Sequence, residues 1–558
     1  MIEWVIEGRL RLLTNLHVGS GSPNDCVDLP VVRDGEGSIF IPGTSVAGAL
    51  RGNMEELQKV LGWEHRHGDP TCDCPACAIF GSSAPSEYVV GARVRLVPSH
   101  VWVYDSYVVS EGGNTREVTT IRDHVGIDRV TSAAAHHAKY NKESVLAGTE
   151  FSFRLAVESD MEHWYMLAAV LEEWKCGRGF IGGGKSIGFG KVEIVDLRVF
   201  RLDLSSIEKL LDYLESDSIA ESAEPSFLSE EPDWLPDVLL QNWNNLVVDS
   251  PERVFVELDL ELSVDGGVVV SDIISQFDEK CDVAPIKQDK QYVIPGSSLR
   301  GMLRAQAERI SRTMATNASN GIDDYLERCP ACHPFNLSTS HEGSCESGYR
   351  ARLGEGGGTV DLGEETCLAC RFFGMTHLGS RLSISDGFVE DFKSLDKFNF
   401  VAIDRFTGGG LDTALFDAAV LMFPKFTTRI LLEHPMDWEL GWLLLVIRDI
   451  QDGLLSVGWG KSKGFGRLRL EKMRVRELWT VDKSEPISAR RNGVFVVKNE
   501  YDSFTRLWND MSSLYLNALH QALSAHEWKL RNGTDSYFNR RIEDTLFLSD
   551  LYPKGGSN

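Results

Sequence analysis

Alternating apolar and polar residues open two long, similar stretches of this chain. The first begins Val5-Ile6-Glu7-Gly8-Arg9-Leu10-Arg11-Leu12 and the second Val254-Phe255-Val256-Glu257-Leu258-Asp259-Leu260. A period of two is typical of a β-strand that buries one face. We therefore expect each stretch to start with a half-buried strand. A last strand is predicted at Lys191-Val192-Glu193-Ile194 in one stretch and at Arg467-Leu468-Arg469-Leu470 in the other.

Two helices are predicted between those strands in each stretch, because apolar residues recur there three or four positions apart. The first helix follows a Pro-Gly step. In the first stretch the apolar faces are Val46, Leu50, Met54, Leu57 and Leu61, then Met161, Trp164, Leu167, Leu171 and Trp174. In the second stretch they are Leu299, Leu303, Ala307 and Ile310, then Trp438, Trp442, Leu443, Val446 and Ile450.

Four motifs occur twice in the same order, which indicates an internal repeat. The pairs are Ile41-Pro42-Gly43-Thr44-Ser45 with Ile294-Pro295-Gly296-Ser297-Ser298, Cys74-Pro75-Ala76-Cys77 with Cys367-Leu368-Ala369-Cys370, Ile127-Asp128-Arg129 with Ile403-Asp404-Arg405, and Gly184-Lys185-Ser186-Ile187-Gly188-Phe189-Gly190 with Gly460-Lys461-Ser462-Lys463-Gly464-Phe465-Gly466. Their offsets are 253, 293, 276 and 276 residues. The drift in offset places insertions in the loops of a shared scaffold.

Strands around two helices predict an α+β, ferredoxin-like sheet in each repeat. We expect copy one at 1–204, an acidic linker at 205–250, copy two at 251–475 and a C-terminal extension at 476–558. The linker should be part helix and part extended. In the extension an amphipathic helix is predicted from Phe504, Leu507, Met511, Leu514, Ala518 and Leu523, and we expect it to pack on its own domain rather than on a neighbouring subunit.

Composition limits what this chain of 558 residues can be. Hydrophobic residues make up 42%, yet no apolar stretch approaches the roughly 18 residues that cross a bilayer. The start, Met1-Ile2-Glu3-Trp4, lacks the features of a secretory leader, so we expect a cytoplasmic protein. A net charge of −25 argues against nucleic-acid binding. However, twelve acidic residues and one lysine lie between Ser205 and Glu252, and the rest is only moderately acidic.

Eight of the eleven cysteines lie in two clusters, which in a reducing compartment favours zinc over disulfides. Four protein ligands would leave no open position, so structural rather than catalytic zinc is expected. In copy one the candidate ligands are His65, His67, Cys72, Cys74 and Cys77, enough for a Cys₃His site with the histidine undecided. In copy two they are Cys329, Cys332, Cys367 and Cys370, with His333, His341 and Cys345 as alternatives.

The glycine-rich loop of each copy follows a helix and precedes a strand, the reverse of the order in a phosphate-binding P-loop, which disfavours an NTPase. Glycines allow a backbone to approach another chain closely, and the lysines could neutralise phosphates. The alternative is a connecting loop with solvated lysines. The candidate RNA-binding residues here are Gly184, Lys185, Ser186, Gly188 and Phe189, then Gly460, Lys461, Ser462, Lys463, Gly464 and Phe465.

The Pro-Gly step of each copy should lie at a helix N-terminus, where free N–H groups and the helix dipole favour an anion. The residues concerned are Gly43, Thr44 and Ser45, then Gly296, Ser297 and Ser298, with Arg51 and Arg304 about two turns further on. The alternative is an ordinary Ser or Thr cap, and the two interpretations are compatible. An acidic loop precedes each Pro-Gly step, at 24–30 and 278–285, and by itself it indicates only turns and solvated charge.

Taken together, the ordered motifs, including Leu16-His17-Val18-Gly19-Ser20-Gly21, resemble the RAMP superfamily, and most of all the backbone subunits of type III CRISPR effector complexes. The resemblance covers about residues 1–200 and 251–475. Two units in one chain resemble the fused backbone proteins of subtype III-D variants. The resemblance implies an RRM-like core that binds CRISPR RNA along a filament, target RNA paired to that guide, and other effector subunits as partners. No membrane is implied.

The resemblance also implies thumb hairpins that disrupt the guide–target duplex, at about 104–142 and 391–415 with Arg129 and Arg405. The cysteine clusters place the zinc insertions at about 62–82 and 325–374. An aspartate before the Pro-Gly step would support cleavage of target RNA with Mg²⁺ or Mn²⁺ and leave a 2′,3′-cyclic phosphate. Aligned from that step, it falls on Asp28 and Asp282, with Asp25 and Asp278 as fallbacks.

The copies also differ in ways that bear on activity. A basic residue after the Ser-Ser step stands as Arg300 in copy two but as Ala47 in copy one, and His17 has no evident counterpart within 262–266. Three functions are therefore open. They are a guide-binding subunit that cleaves target RNA, a purely structural backbone, and a guide-processing RNase that uses His17 as a general acid or base. Two loops with aspartate at the same point favour the first.

Overall fold

In the computed structural model of the protein, the described residues are 2–64, 72–81, 98–109, 118–129, 133–158, 163–204, 206–215, 227–288, 290–319, 322–333, 344–354, 361–483 and 493–530. They form an α+β structure in which each copy contains an antiparallel sheet. Among these residues, no helix is both long and apolar enough to cross a membrane.

Copy one and the linker contain ten strands and six helices within the described residues. The strands are β1 (Ile2–Leu12), β2 (Phe40–Ile41), β3 (Val101–Val103), β4 (Ser106–Tyr107), β5 (Thr119–Ile127), β6 (Ala134–Val145), β7 (Glu150–Glu158), β8 (Gly179–Phe180), β9 (Lys191–Leu202) and β10 (Leu228–Glu230). The helices are α1 (Gly43–Val60), α2 (Pro75–Phe80), α3 (Trp164–Lys175), α4 (Ile207–Glu215), α5 (Trp234–Gln241) and α6 (Trp243–Leu246).

Copy two and the extension follow the same order with additions. The strands are β11 (Arg253–Asp265), β12 (Gly267–Val268), β13 (Lys287–Gln288), β14 (Gln291–Ile294), β15 (Leu382–Ile384), β16 (Gly387–Asp391), β17 (Ser394–Ile403), β18 (Gly410–Met422), β19 (Lys425–Glu433), β20 (Arg467–Trp479) and β21 (Val496–Tyr501). The helices are α7 (Ile273–Glu279), α8 (Gly296–Ala318), α9 (Ile322–Glu327), α10 (Cys345–Gly354), α11 (Leu362–Glu365), α12 (Leu368–Phe373), α13 (Asp437–Gln451) and α14 (Phe504–Ala525).

Three equivalent strands lie at the centre of the sheet in each copy. The first strand of copy one, β1, lies between β7 and β9, and β11 of copy two lies between β19 and β20. Leu10 pairs with Phe151 on one side and Ile194 on the other. Because all three side chains are buried, the predicted alternation does place one face of the strand in the core.

The four predicted helices are present. Most of the predicted apolar residues are buried in the cores of the two copies, and Leu61, Trp164, Ile310 and Trp438 are half-buried. Met161 lies outside the described residues. Trp174 at the end of α3 is fully buried, and its indole N–H donates to the Asn53 side chain of α1 at 2.7 Å. Trp442 of α13 is also fully buried, and its N–H donates to the Ala307 carbonyl of α8 at 2.7 Å. Each copy therefore joins its two helices through a buried tryptophan.

Parts of the linker and of the extension are built into the cores, whereas the linker helix α4 has no buried residues. Trp234 and Leu239 of α5 are buried with the core of copy one, and β10 adds to its sheet beside β9. Beyond copy two, β20 continues to Trp479, past the predicted boundary at 475, and β21 pairs with it. Helix α14 packs on α13 and buries Tyr515 and Leu519 in the core of copy two. Packing on its own domain is the arrangement that we expected for this helix.

Each copy also carries a long hairpin that is separate from its central sheet. Hairpin one consists of β5 and β6, and hairpin two consists of β17 and β18. Both overlap the ranges in which the resemblance implies thumbs, although hairpin one runs over 119–145 rather than 104–142 and hairpin two over 394–422 rather than 391–415. Residues 110–117 and 130–132 lie outside the described residues. Position by position, the two hairpins match at the offset of 276 residues that separates the Ile-Asp-Arg motifs.

Candidate functional site

Copy two holds a buried cluster of four cysteines, Cys332, Cys345, Cys367 and Cys370, whose sulfur atoms lie within 4.8 Å of one another. The backbone N–H of Cys332 donates to the Cys367 sulfur at 3.3 Å, and that of Cys367 donates to the Cys345 sulfur at 3.2 Å. Such N–H donors stabilise thiolates, the form of cysteine that binds metal. Four thiolates at this spacing fit a tetrahedral structural zinc.

One ligand of this cluster differs from the prediction. Cys329 does not belong to the group, because its sulfur instead faces the Tyr325 hydroxyl at 3.7 Å and the Ala331 carbonyl at 3.4 Å. Cys345, at the start of α10, takes the place that the Cys-x-x-Cys spacing assigned to Cys329. His333 lies 3.5 Å from Asp128 of copy one, and His341 lies outside the described residues. Cys345 is among the alternatives that the sequence offers, but no spacing rule prefers it to Cys329.

Copy one holds a smaller cluster of three buried cysteines, Cys72, Cys74 and Cys77. The Gln58 side chain bridges this cluster, because its amide donates to the Cys74 sulfur at 3.4 Å and its oxygen accepts from the Ala76 N–H at 3.0 Å. The cluster fits zinc if one more ligand joins it. The two histidines predicted for that role, His65 and His67, lie outside the described residues.

An arginine donates to the last cysteine of each cluster. Arg51 lies 3.6 Å from the Cys77 sulfur, and Arg304 lies 3.7 Å from the Cys370 sulfur. Arg304 also pairs with Glu308 at 2.7 Å and is buried. The sequence suggested that these arginines could bind RNA phosphate. Instead they face the cysteine clusters, where a cation offsets the charge of thiolates.

The Pro-Gly step begins a helix in each copy. Gly43 donates its N–H to the Asp105 carboxylate at 2.7 Å, and Gly296 donates to Asp386 at 2.8 Å. A β-carbon at Gly43 would lie 2.2 Å from the Val103 carbonyl oxygen, which explains the glycine. The protein therefore supplies its own anion at one of the N–H groups expected to hold phosphate.

The hydroxyl residues after these glycines do not cap the helices. The N-cap residues are Pro42 and Pro295, and neither helix has a side-chain cap bond. The expectation of a Ser or Thr cap is therefore wrong. The hydroxyl residues instead lie within the first turn, at Thr44, Ser45, Ser297 and Ser298.

The two glycine-rich loops have the same backbone. Each is a single 3₁₀ turn between glycines with positive φ, at Gly184 (93°) and Gly188 (81°), and at Gly460 (77°) and Gly464 (88°). Positive φ is strained for other residues, so the glycine pattern is a backbone requirement. Ser186, Phe189, Ser462 and Phe465 lie within or beside these turns.

The surroundings of the two loops differ. In copy one, Lys185 pairs with Glu433 of copy two at 2.7 Å, and its carbonyl accepts from the Ser383 hydroxyl at 2.6 Å. A β-carbon at Gly188 would lie 2.5 Å from the Ile384 carbonyl oxygen, also in copy two. In copy two, Lys461 and Lys463 are exposed. The first loop is thus part of the contact between the copies, and the second presents its lysines to solvent.

Hairpin one docks on copy two. Its Arg122 forms a buried 2.6 Å ion pair with Asp386, the carboxylate that also accepts from Gly296. Its Arg129 pairs with Glu308 at 3.1 Å. Hairpin two has an exposed tip, with Arg405 exposed and the Phe406 side chain fully exposed. The copies therefore meet head to tail, with one hairpin docked and the other open.

Cationic groups converge where hairpin one meets copy two. Burial, and then the nearby charges of Arg304 and Arg129, lower the pKa of Arg300 to about 10. Cations that repel one another in this way favour a bound anion, such as an RNA phosphate. Glu308 lies among these cations and pairs with both Arg129 and Arg304, so it offsets part of their charge.

The predicted acid of copy one lies beside hairpin one. The backbone N–H of Asp28 donates to Asn141 Oδ1 at 2.7 Å, and the backbone N–H of Asn141 donates to Asp28 Oδ2 at 2.8 Å. The backbone N–H of Leu29 then donates to the Asn141 carbonyl at 3.2 Å. The acidic loop therefore pairs with β6 through a single parallel bridge between Leu29 and Lys142, and the exposed Asp28 lies directly before it.

The predicted acid of copy two has the same geometry. The backbone N–H of Asp282 donates to Asp417 Oδ1 at 2.9 Å, and that of Asp417 donates to Asp282 Oδ2 at 3.0 Å. Val283 continues the pairing along β18. The fallback residues are not equivalent to each other, because Asp25 lies in an exposed loop and Asp278 lies in α7. Asp28 and Asp282 are thus the pair that both copies place alike.

His17 is a buried residue of copy one. Its Nδ1 donates to the Glu143 carbonyl at 2.7 Å, and burial lowers its pKa. Its counterpart is Val269 rather than a residue within 262–266, because the carbonyls of His17 and Val269 accept from Gly183 and Trp459 at 2.8 and 2.7 Å. Copy two therefore has no histidine at this position, as predicted, but the alignment of this segment required the structure.

Aromatic residues on the hairpins were not singled out from the sequence. Phe400 and Phe416 of hairpin two stack across the strands, with ring centroids 5.2 Å apart, and Lys463 lies 4.9 Å from the centroid of Trp459. In hairpin one the equivalent stacked pair is His124 and Tyr140, also 5.2 Å apart. Both pairs could have been identified from the sequence, because the 276-residue offset aligns His124 with Phe400 and Tyr140 with Phe416.

Two comparisons with known proteins bear on this arrangement. The model of the family described as the RAMP superfamily matches residues 9–193 and 282–469, which together exceed half of the chain. Over 204 residues the chain is 28% identical to the CRISPR system Cms endoribonuclease Csm3 of Methanocaldococcus jannaschii, covering 35% of this chain and 79% of that protein.

Proposed function

Since the chain belongs to the RAMP superfamily, we propose that it is a CRISPR RNA-binding backbone subunit of a type III effector complex that also cleaves guide-complementary target RNA at one site in each copy. The likeness to an endoribonuclease of a CRISPR system supports the assignment. The observation that carries the cleavage proposal is the repeated placement of Asp28 and Asp282, each held against the hairpin of its own copy.

Guide RNA would lie along the seam and the exposed glycine-rich loop. Lys461 and Lys463 supply exposed cations in that loop, Lys463 beside Trp459, and Arg129 and Arg300 lie at the seam, where Arg129 is already paired with Glu308. Positive charge beside an aromatic surface is the combination that single-stranded RNA favours. The head-to-tail contact of the copies supports a backbone role, because the open hairpin two could dock on the next subunit as hairpin one docks on copy two. Single chains of this kind, with two fused units, fit the III-D-like arrangement.

The proposed cleavage needs an acceptor for the proton of a ribose 2′-hydroxyl. Asp28 or Asp282 takes that proton, the 2′-oxygen attacks the adjacent phosphorus, and the bond to the 5′-oxygen of the next nucleotide breaks. The products are a 2′,3′-cyclic phosphate and a 5′-hydroxyl, the leaving oxygen being protonated from water. The hairpin would hold the target nucleotide in the in-line geometry that this attack requires.

The acid sites suit a hard divalent cation. Asp28 and Asp282 are exposed and offer carboxylate oxygens, which are the ligands that Mg²⁺ or Mn²⁺ prefers. One oxygen of each is bonded to a backbone N–H, and the other would either hold the ion or accept the hydroxyl proton. When bound, the ion would stabilise negative charge on the phosphate. Zinc in the two cysteine clusters would have a structural role only.

Two alternatives are weaker. A purely structural backbone would bind guide RNA without cutting the target, and it would leave the repeated placement of the acids unexplained. A guide-processing RNase that uses His17 is disfavoured, because that ring is buried, bonded to a backbone carbonyl and replaced by Val269 in copy two.

The test is a complex assembled from the full chain, a guide RNA and the other type III subunits. We expect complementary RNA to be cut in Mg²⁺ to products with 2′,3′-cyclic ends, and we expect neither EDTA-treated complex nor non-complementary RNA to give cuts. A complex that retains the guide and binds the target without cutting it would support the structural alternative instead.

A further inference from the structure

The partner of each acid is placed as consistently as the acid itself. Asn141 and Asp417 occupy the same position of their hairpins, at the offset of 276 residues. Each accepts the backbone N–H of its acid with a side-chain oxygen, at 2.7 and 2.9 Å, and donates its own N–H to the carboxylate. An amide and a carboxylate therefore perform the same bonding role in the two copies. What they share is an acceptor oxygen, and what differs is the charge.

The residue opposite each partner on the other strand of the hairpin also changes between the copies, but from a carboxylate in copy one to an amide in copy two. In copy one, Asn141 lies directly opposite Asp123, and in copy two Asp417 lies directly opposite Asn399. Residues directly opposite in an antiparallel pair present their side chains on the same face. Asp and Asn have thus exchanged strands between the copies, and each hairpin keeps one carboxylate and one amide at this level. The exchange keeps a side-chain oxygen that accepts the N–H of the acid, and it also keeps one negative charge on this pair of hairpin residues.

From these contacts we infer that Asn141 and Asp417 are positioning residues that fix the carboxylates of Asp28 and Asp282 for removal of the 2′-hydroxyl proton. The inference rests on the proposed cleavage and adds a residue to each site. An exposed aspartate on a loop samples several rotamers, and proton transfer requires one of them within hydrogen-bond reach of the hydroxyl.

The two hydrogen bonds restrict both the backbone and the carboxylate of the acid. The bond from the acid's N–H to the partner side chain holds the loop backbone against the hairpin, and the bond from the partner's N–H holds one carboxylate oxygen. The other oxygen of Asp28 stays directed away from that bond and is available to the substrate. A substitution can remove the first bond only, because the second comes from the backbone. Loss of the side-chain acceptor should therefore slow the chemical step without abolishing it.

The test uses alanine variants and exchanged variants in the assembled complex. Asn141→Ala and Asp417→Ala each remove one acceptor. The exchanged variants are Asp123→Asn with Asn141→Asp, and Asn399→Asp with Asp417→Asn, which give each copy the pattern of the other. Cleavage is followed at each position of the target by single-turnover kinetics, with guide retention and target affinity measured in parallel. The untouched copy in every variant is the internal control.

We expect each alanine variant to cut about tenfold more slowly at its own position only, with unchanged target affinity. The exchanged variants should recover most of that loss. The inference is overturned if the alanine variants cut at the wild-type rate, if they lose target affinity rather than rate, or if the exchanged variants are as slow as alanine. Failure of the cleavage proposal itself would look different, because Asp28→Ala and Asp282→Ala would then leave the cuts unchanged.

Discussion

Arg122 of hairpin one and Asp386 of copy two form a 2.6 Å ion pair in which both side chains are almost fully buried, with exposed fractions of 3% and 9%. The same carboxylate accepts the N–H of Gly296 at the start of α8. One aspartate therefore joins the hairpin of one copy to the helix start of the other. In copy one the equivalent carboxylate, Asp105, accepts from Gly43 and is exposed, which leaves it accessible to a hairpin from another subunit.

Asp386→Ala should destabilise the contact between the copies. It leaves the Arg122 guanidinium buried without its carboxylate, a change that costs roughly 3–5 kcal/mol. The midpoint of urea unfolding of the full chain measures the loss. Glu500→Ala is the matched control, because Glu500 pairs with Arg474 on the surface and its removal should cost less than about 0.5 kcal/mol. Equal midpoints for the two variants would contradict the buried interface.

Metal content should distinguish the two candidate ligands of the second cluster. The intact chain is expected to bind about two zinc ions, one per cysteine cluster. Cys345→Ser should lose about one ion, whereas Cys329→Ser should keep both, because the Cys329 sulfur lies outside the cluster. Elemental analysis of the purified, folded chain gives the answer. Loss of zinc from the Cys329 variant but not the Cys345 variant would restore the assignment made from spacing.

Lysines of the two glycine-rich loops should contribute unequally to guide binding. Lys463→Ala removes an exposed cation and should weaken binding about fivefold, and it should lower the slope of log K against log salt by about 0.7. Lys185→Ala should change that slope little, because Lys185 is paired with Glu433. Lys472→Ala serves as the control, since that exposed lysine pairs with Glu261 on the central sheet of copy two. If Lys185→Ala changed the slope of log K against log salt more than Lys463→Ala did, the proposed unequal roles of the two loops would be wrong.

The sequence predicts much of this architecture because its repeats encode local structure. Helix α1 follows from the spacing of Val46, Leu50 and Met54, and the glycine-rich loops follow from glycines that tolerate positive φ. Such features depend on neighbours in the chain. The acids follow only from the resemblance to the RAMP superfamily, and the structure is needed to separate Asp28 and Asp282 from Asp25 and Asp278.

What the sequence does not predict depends on contacts between distant residues. Arg304 faces the Cys370 sulfur, and Lys185 pairs with Glu433 of the other copy, although their motifs suggested phosphate contacts. A basic side chain on a helix or loop has no pattern that shows what it faces. The partners Asn141 and Asp417 are hidden for the same reason, because amide and carboxylate share no sequence motif.

The most direct test of one acid per copy is the pattern of cuts in target RNA made by complexes with Asp28→Ala, Asp282→Ala or both. The account predicts that each single variant loses one set of cuts and keeps the other. The double variant should make none while holding guide and target as the wild type does. A double variant that still gives every cut would contradict the account.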